Sequence, residues 1–215
     1  MKKPQMIVCL TVFCNLTLFA QTGSSPRMVR TAEGSAVHVL PQEIPAGLQK
    51  IYGNLGSKTD PYSTVGWEIA GPKNKDYTVF IGMPFTPKSN SHVSQVQVAL
   101  QYLSGANQVN LSIYGDSSGA PGTLLAGPVT VTDLPESGTC CTLAIASFTP
   151  VAVTGGTQYW VVADTPPTGT GSNFVGTWRE VVKPFIPMAF NEGGSGWYGT
   201  NADNLVAGEV LGIIP

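Results

Sequence analysis

The chain is short of charge. Asp, Glu, Lys and Arg make up 11% of it, against 42% hydrophobic residues. A nucleic-acid-binding face needs clustered cations that displace counterions, and 11 Lys and Arg scattered over 215 residues supply none. Histidine is scarcer still, with only His38 and His92. A serine nucleophile needs an imidazole or similar base to take its proton, and a zinc site needs ligands at set spacings. Neither histidine is placed for either task. There is no P-loop and no zincin motif. The GGSGW run at 193–197 departs from the nucleophile elbow at its last residue. The 13 acids show no spacing that selects a pair for glycoside hydrolysis. No catalytic residue, cofactor or metal is therefore expected. Convincing amphipathic helices are absent as well, which removes the helical fold classes.

Cysteine is sparse and unevenly placed. Cys9 and Cys14 lie in an apolar run, Met6 to Phe19, that follows Lys2 and Lys3. Residues 1–20 read as a secretory signal peptide, with Leu18-Phe19-Ala20 as the cleavage site before Gln21. The run is short for a membrane span and has no stop-transfer flank, so no span is expected after cleavage. Val12-Phe13 before Cys14 and Ile7-Val8 before Cys9 do not fit a lipobox. Losing residues 1–20 leaves 9 basic and 13 acidic residues, a net charge of −4. It also leaves only Cys140 and Cys141, which are adjacent. In an oxidising compartment they form a vicinal disulfide, stay as two thiols or bridge two molecules, and the vicinal disulfide is the expectation.

What the chain has in quantity is strands and turns. Residues 21–46, rich in Ser, Thr, Pro, Gln and Ala without a period, read as a flexible lead. Residues 47–215 read as one antiparallel β-sandwich, jelly-roll-like in type. The clearest stretch is 92–122. Val96, Val98, Leu100 and Tyr102 share one parity, and Gln95, Gln97 and Gln101 the other. Val109, Leu111 and Ile113 then alternate with Gln108, Asn110 and Ser112. Such alternation marks strands with one core face and one wet face. The Ser104-Gly105-Ala106 break predicts a hairpin between the two runs. Asp116 to Gly122, DSSGAPG, predicts a turn. Further strands are expected at 48–52, 64–69, 78–85, 124–131, 139–148, 157–163, 173–178, 186–190, 196–198 and 205–211.

Candidate sites are few. Asp116 among Ser117, Ser118 and Gly119 invites a calcium reading, but one carboxylate suits a β-turn better. Trp197 and Tyr198 stand in a Gly-rich loop and, with Trp178 and Trp67, could form a sugar-stacking platform. The alternative places these rings in the core, where Trp160 is expected to sit or to cap a face. Asn110-Leu111-Ser112 matches a glycosylation sequon and is expected to be idle.

Several segments resemble the bacterial choice-of-anchor secreted domains, a jelly-roll-like β-sandwich group. They are IYGNLG at 51–56, Gly66-Trp67, PFTP at 84–87 leading into VSQVQVAL, LSIYGDSSGAPGTLL at 111–125, GGTQYWVVA at 155–163, Gly196-Trp197 and VLG at 210–212. The resemblance spans about residues 48–212. It implies a secreted scaffold and no known catalytic residues. Members of that group carry a C-terminal sorting tail, whereas this chain ends LGIIP, so attachment through such a tail is not expected. The expectation is a secreted, extracellular or periplasmic, non-catalytic module for extracellular or cell-envelope interactions. Its partner would be an extracellular glycan or an envelope component. A carbohydrate-binding module using loop aromatics is the first alternative, and an unrecognised secreted hydrolase the second.

Overall fold

Alternating side chains need a second apolar layer to pack on, and this chain provides it from its own strands. A computed structural model describes residues 28–30, 43–57, 60–74, 77–200 and 203–215. The expected signal peptide, His38 and most of the expected lead lie outside the described residues.

Within them the chain forms fifteen strands and no helix, and so no helix able to cross a membrane. They are β1 (Met28–Arg30), β2 (Gln49–Gly53), β3 (Val65–Ala70), β4 (Val79–Phe85), β5 (Ser91–Val98), β6 (Leu100–Ser104), β7 (Gln108–Asp116) and β8 (Pro121–Thr132). There follow β9 (Ala144–Val153), β10 (Tyr159–Asp164), β11 (Val175–Ile186), β12 (Ala189–Glu192), β13 (Trp197–Gly199), β14 (Asp203–Val206) and β15 (Gly208–Ile213). The larger sheet runs β14-β11-β3-β4-β10-β7-β8, with β1 on β3, β6 on β11, and β12 joining β13 to β4. The smaller runs β2-β15-β5-β9. The strands pair antiparallel, as an all-β sandwich-like fold. One part of the lead departs from the flexible reading: residues 28–30 are a strand, paired to Val65–Trp67.

The inner faces of both sheets share one core. The small sheet supplies Val93, Val96, Val98, Ala146 and Val210, and the large sheet Ile81, Met83, Leu111, Ile113 and Val161. Phe85 stacks on Tyr159 with ring centroids 5.7 Å apart.

Two strands pass from one sheet to the other at buried alanines. β5 runs through Ala99 into β6, and β14 through Ala207 into β15. β11 ties the corners together: the Arg179 amide donates to Ala99 O at 2.9 Å, and the Ala207 amide to Arg179 O at 2.7 Å. Both alanines are fully buried, so the corners carry small side chains inside the packed interior.

That corner overturns the expected hairpin. β6 pairs with β11, and β7 pairs with β10 and β8, so the 92–104 run and the 108–116 run are not partners. Parity identified which side chains face inward, but parity carries no information about which strand lies alongside. The true hairpin is one turn later, β7 to β8. There Asp116 faces Pro121, and the Ser117 amide donates to Ala120 O at 2.8 Å. Ser118 and Gly119 take φ of 56° and 83°, the left-handed region a tight turn requires. β8 itself runs unbroken through Gly127-Pro128, with register shifts opposite.

Nor is the polar parity of β5 and β6 wet. Gln97 and Gln101 are buried. Gln101 Oε1 accepts from the buried Arg179 guanidinium and from the Gly138 amide at 3.1 Å, and its amide donates to Thr139 O. Arg179 also donates to Thr64 O and to Ser137 Oγ. The 133–143 connection lies over this cluster, so its backbone takes the place of water. Burial lowers the Arg179 pKa, against the opposing influence of Tyr62.

Candidate functional site

The outer face of the larger sheet carries its own aromatic cluster. In β10, Tyr159, Val161 and Ala163 point into the shared core. Trp160 and Val162 point the other way and, with Ala189, form a second buried group on which Tyr114 and Trp197 pack. Trp160 thus caps a face, one of its two expected places. Gly82 of β4 lies beneath. A Cβ there would stand 3.0 Å from Pro121 Cγ, 3.2 Å from Trp160 and 3.3 Å from Ala189, so glycine lets the β7–β8 turn fold down.

Asp116 locks that turn to the cluster. Its Oδ1 accepts from Trp160 Nε1 and from Gln158 Nε2, both at 2.8 Å, and its Oδ2 accepts from the Gly119 amide at 3.2 Å. Partial burial pushes the carboxyl pKa up, but the Trp160, Gly119 and Gln158 donors outweigh it and hold the value below the usual range. Both oxygens are engaged, so Asp116 is a turn and indole anchor. Among the described residues no three His, Cys, Asp or Glu side chains cluster as a metal site would require.

The four tryptophans separate. Trp178 is fully buried and donates through Nε1 to Ala207 O at 2.9 Å. Trp67 is buried, donates to Asn204 O at 3.0 Å and meets Phe190 edge-on at 5.3 Å. These two serve the corner and core, which withdraws Trp178 from any stacking platform. Trp197 is half-buried and Tyr198 is 40% exposed. They do not form one platform either. β13 pairs with β12, setting Trp197 opposite Asn191 and Tyr198 opposite Phe190. Neighbouring strand residues point to opposite faces, so Trp197 joins the outer cluster while Tyr198 lies against Phe190, 6.4 Å between centroids.

Along the same outer face lies a polar row that sequence inspection missed. Asp164, two residues beyond Val162, pairs with Asn110, whose Oδ1 accepts from Thr130 Oγ1 at 2.9 Å. Burial raises the Asp164 pKa to about 6, against the lowering effect of its Asn110 hydrogen bond. Asn191 lies two residues beyond Ala189, on the same face. Its Oδ1 is buried and accepts no hydrogen bond from the described residues. The signal was present in YWVVAD at 159–164: the aspartate shares the parity of Trp160 and Val162.

Ser195 Oγ donates to Glu192 O at 2.6 Å within a turn. His92 is exposed on β5. The sequon side chains Asn110 and Ser112 are buried in β7. Cys140 and Cys141 are joined as a disulfide in the connection from β8 to β9, with Cys141 buried. A separate cleft of about 390 Å³ opens beside β2, lined by Lys50, Leu55, Gln97, Leu143 and Glu209 among others. Lys50 and Glu209 form an ion pair there, and Glu43 is a second acid in the lining.

No family model matches this chain, and neither a curated protein nor a solved structure matches it.

Proposed function

We propose that the protein is a secreted, non-catalytic β-sandwich module that binds a partner in the extracellular space or cell envelope through the outer face of its larger sheet. One observation carries the reading. Trp197 is a large aromatic left half-buried on a sheet face, on a ready-packed floor of Trp160, Val162 and Ala189. Half-exposed aromatics over a rigid floor supply binding area at low ordering cost. The signal-peptide pattern of residues 1–20 and the resemblance to choice-of-anchor domains support export.

The test is retention. The purified exported chain is incubated with a bacterial envelope fraction, and the sedimented share is measured. Wild type is expected to be retained and Trp197→Ala to lose at least about tenfold in affinity. Equal retention of the two would overturn the reading.

A further inference from the structure

We infer that this outer face takes a neutral oligosaccharide laid across the strands. The inference rests on the binding-surface reading and names its ligand class. Six neighbouring strands contribute one side chain each to a row: Trp197, Asn191, Phe80, Asp164, Asn110 and Thr130. The register gives Trp197 opposite Asn191, Asn191 opposite Phe80, Asp164 opposite Asn110 and Asn110 opposite Thr130. Phe80 precedes Ile81 and Asp164 follows Ala163, so both lie one step beyond the Ile81–Ala163 pair. Five strand spacings make the row about 24 Å long, room for several sugar rings.

The chemistry of the row selects the ligand. Trp197 offers a flat apolar face at one end of the row, while Phe80 is half-buried against the shared core. Between and beyond them the open hydrogen-bonding capacity is for accepting. Among the described residues Asn191 Oδ1 has no donor, and Asn110 is the side-chain hydrogen-bond partner of Asp164. A ligand that donates to an acceptor left without a protein donor relieves part of that acceptor's desolvation penalty. The complement is a molecule with flat C–H faces and many hydroxyl donors, which describes a pyranose chain.

Other ligand classes fit poorly. The row holds no Lys or Arg, so it offers nothing to phosphate or to an acidic peptide. An extended peptide pairs along a free strand edge, whereas this row runs across the strands, from β13 at one edge to β8 at the other. A lipid surface would desolvate Asn191 and Asp164 without pairing them.

The test uses the full exported chain and purified neutral oligosaccharides of hexoses and N-acetylhexosamines, read by titration calorimetry and tryptophan fluorescence. Saturable binding is expected, tighter for longer chains. Trp197→Ala and Asn191→Ala should each weaken it about tenfold or more, and Trp197→Phe less than Trp197→Ala. Tyr198→Ala, on the opposite face, should leave it unchanged. Thermal unfolding of each variant separates lost contact from lost fold. Absence of saturable binding, or wild-type affinity in both Trp197→Ala and Asn191→Ala, overturns the inference. If envelope retention depends on Trp197 while no saccharide competes, the ligand class is wrong and the binding surface stands. If retention ignores Trp197, both fall.

Discussion

The shared core and the outer face of the larger sheet hold two tryptophans each and use them differently. Trp67 and Trp178 are buried and give their N–H groups to backbone carbonyls at the sheet corner. Trp160 gives its N–H to the carboxylate of a turn, and Trp197 is left half-open on top of it. The core tryptophans add side-chain bonds from β3 and β11 to the β14–β15 corner, beside the backbone pairing already there. The outer pair is built as a floor and a cover, and the cover is free to meet something else. A ring count alone would have weighed all four equally.

The same contrast divides the charged groups. Arg179, at the corner, is surrounded by acceptors fixed in the backbone and in Gln101. On the outer face, Asp116 is well supplied with donors while Asp164 is not, so burial moves the second upward and the donors move the first downward.

Breaking the core should cost most. Trp178→Ala removes a fully buried ring and is expected to lose about 4 kcal/mol, or about 10 °C in Tm, by denaturant and thermal unfolding. Gln101→Leu strips the Arg179 guanidinium of its main acceptor and should cost about 3 kcal/mol in the same assays. If it costs nothing, the buried cluster is not what holds the 133–143 connection.

The two outer acids should respond to pH with opposite signs. The folded Asp164 pKa lies near 6, above the ordinary aspartate value, so the folded state binds that proton more tightly. Its contribution to stability therefore rises as pH falls from above 6 toward about 4. Asp164→Asn should abolish that rise and stabilise the protein at pH 8 by about 2 kcal/mol. Asp116 lies below its ordinary value, so its contribution is present above about pH 4 and lost as pH falls further. Asp116→Ala orphans the buried Trp160 N–H and should cost about 1 kcal/mol at pH 7, with little further loss in acid. Trp197→Ala should have the smallest effect on stability, at or below about 1 kcal/mol, with its main effect on binding. Measured unfolding free energies across pH check all three.

Part of this was legible beforehand. The turn at DSSGAPG and most strands follow from Gly, Pro and β-branched placement, and the inward residues from alternation. The hairpin at Gly105 was misplaced, because pairing is decided by where the chain bends and Ala99 gives no local sign of a bend. Parity alone predicts Gln97 and Gln101 in water, whereas both are buried, because burial of a polar side chain depends on what folds over it. Trp197 and Tyr198 fall on opposite faces, as the alternation of neighbours within a strand dictates.

The amino-acid sequence by itself determined the class of the fold: low charge, many short alternating segments and frequent Gly/Pro turns admit little but stacked antiparallel sheets. Local backbone preference and side-chain period are properties of a few adjacent residues, so they survive without a partner in view. Only the tertiary structure decided the corners at Ala99 and Ala207, the partners of Arg179, and the row from Trp197 to Thr130. Each joins residues far apart in the chain, and the contacts exist only once strands have been placed side by side.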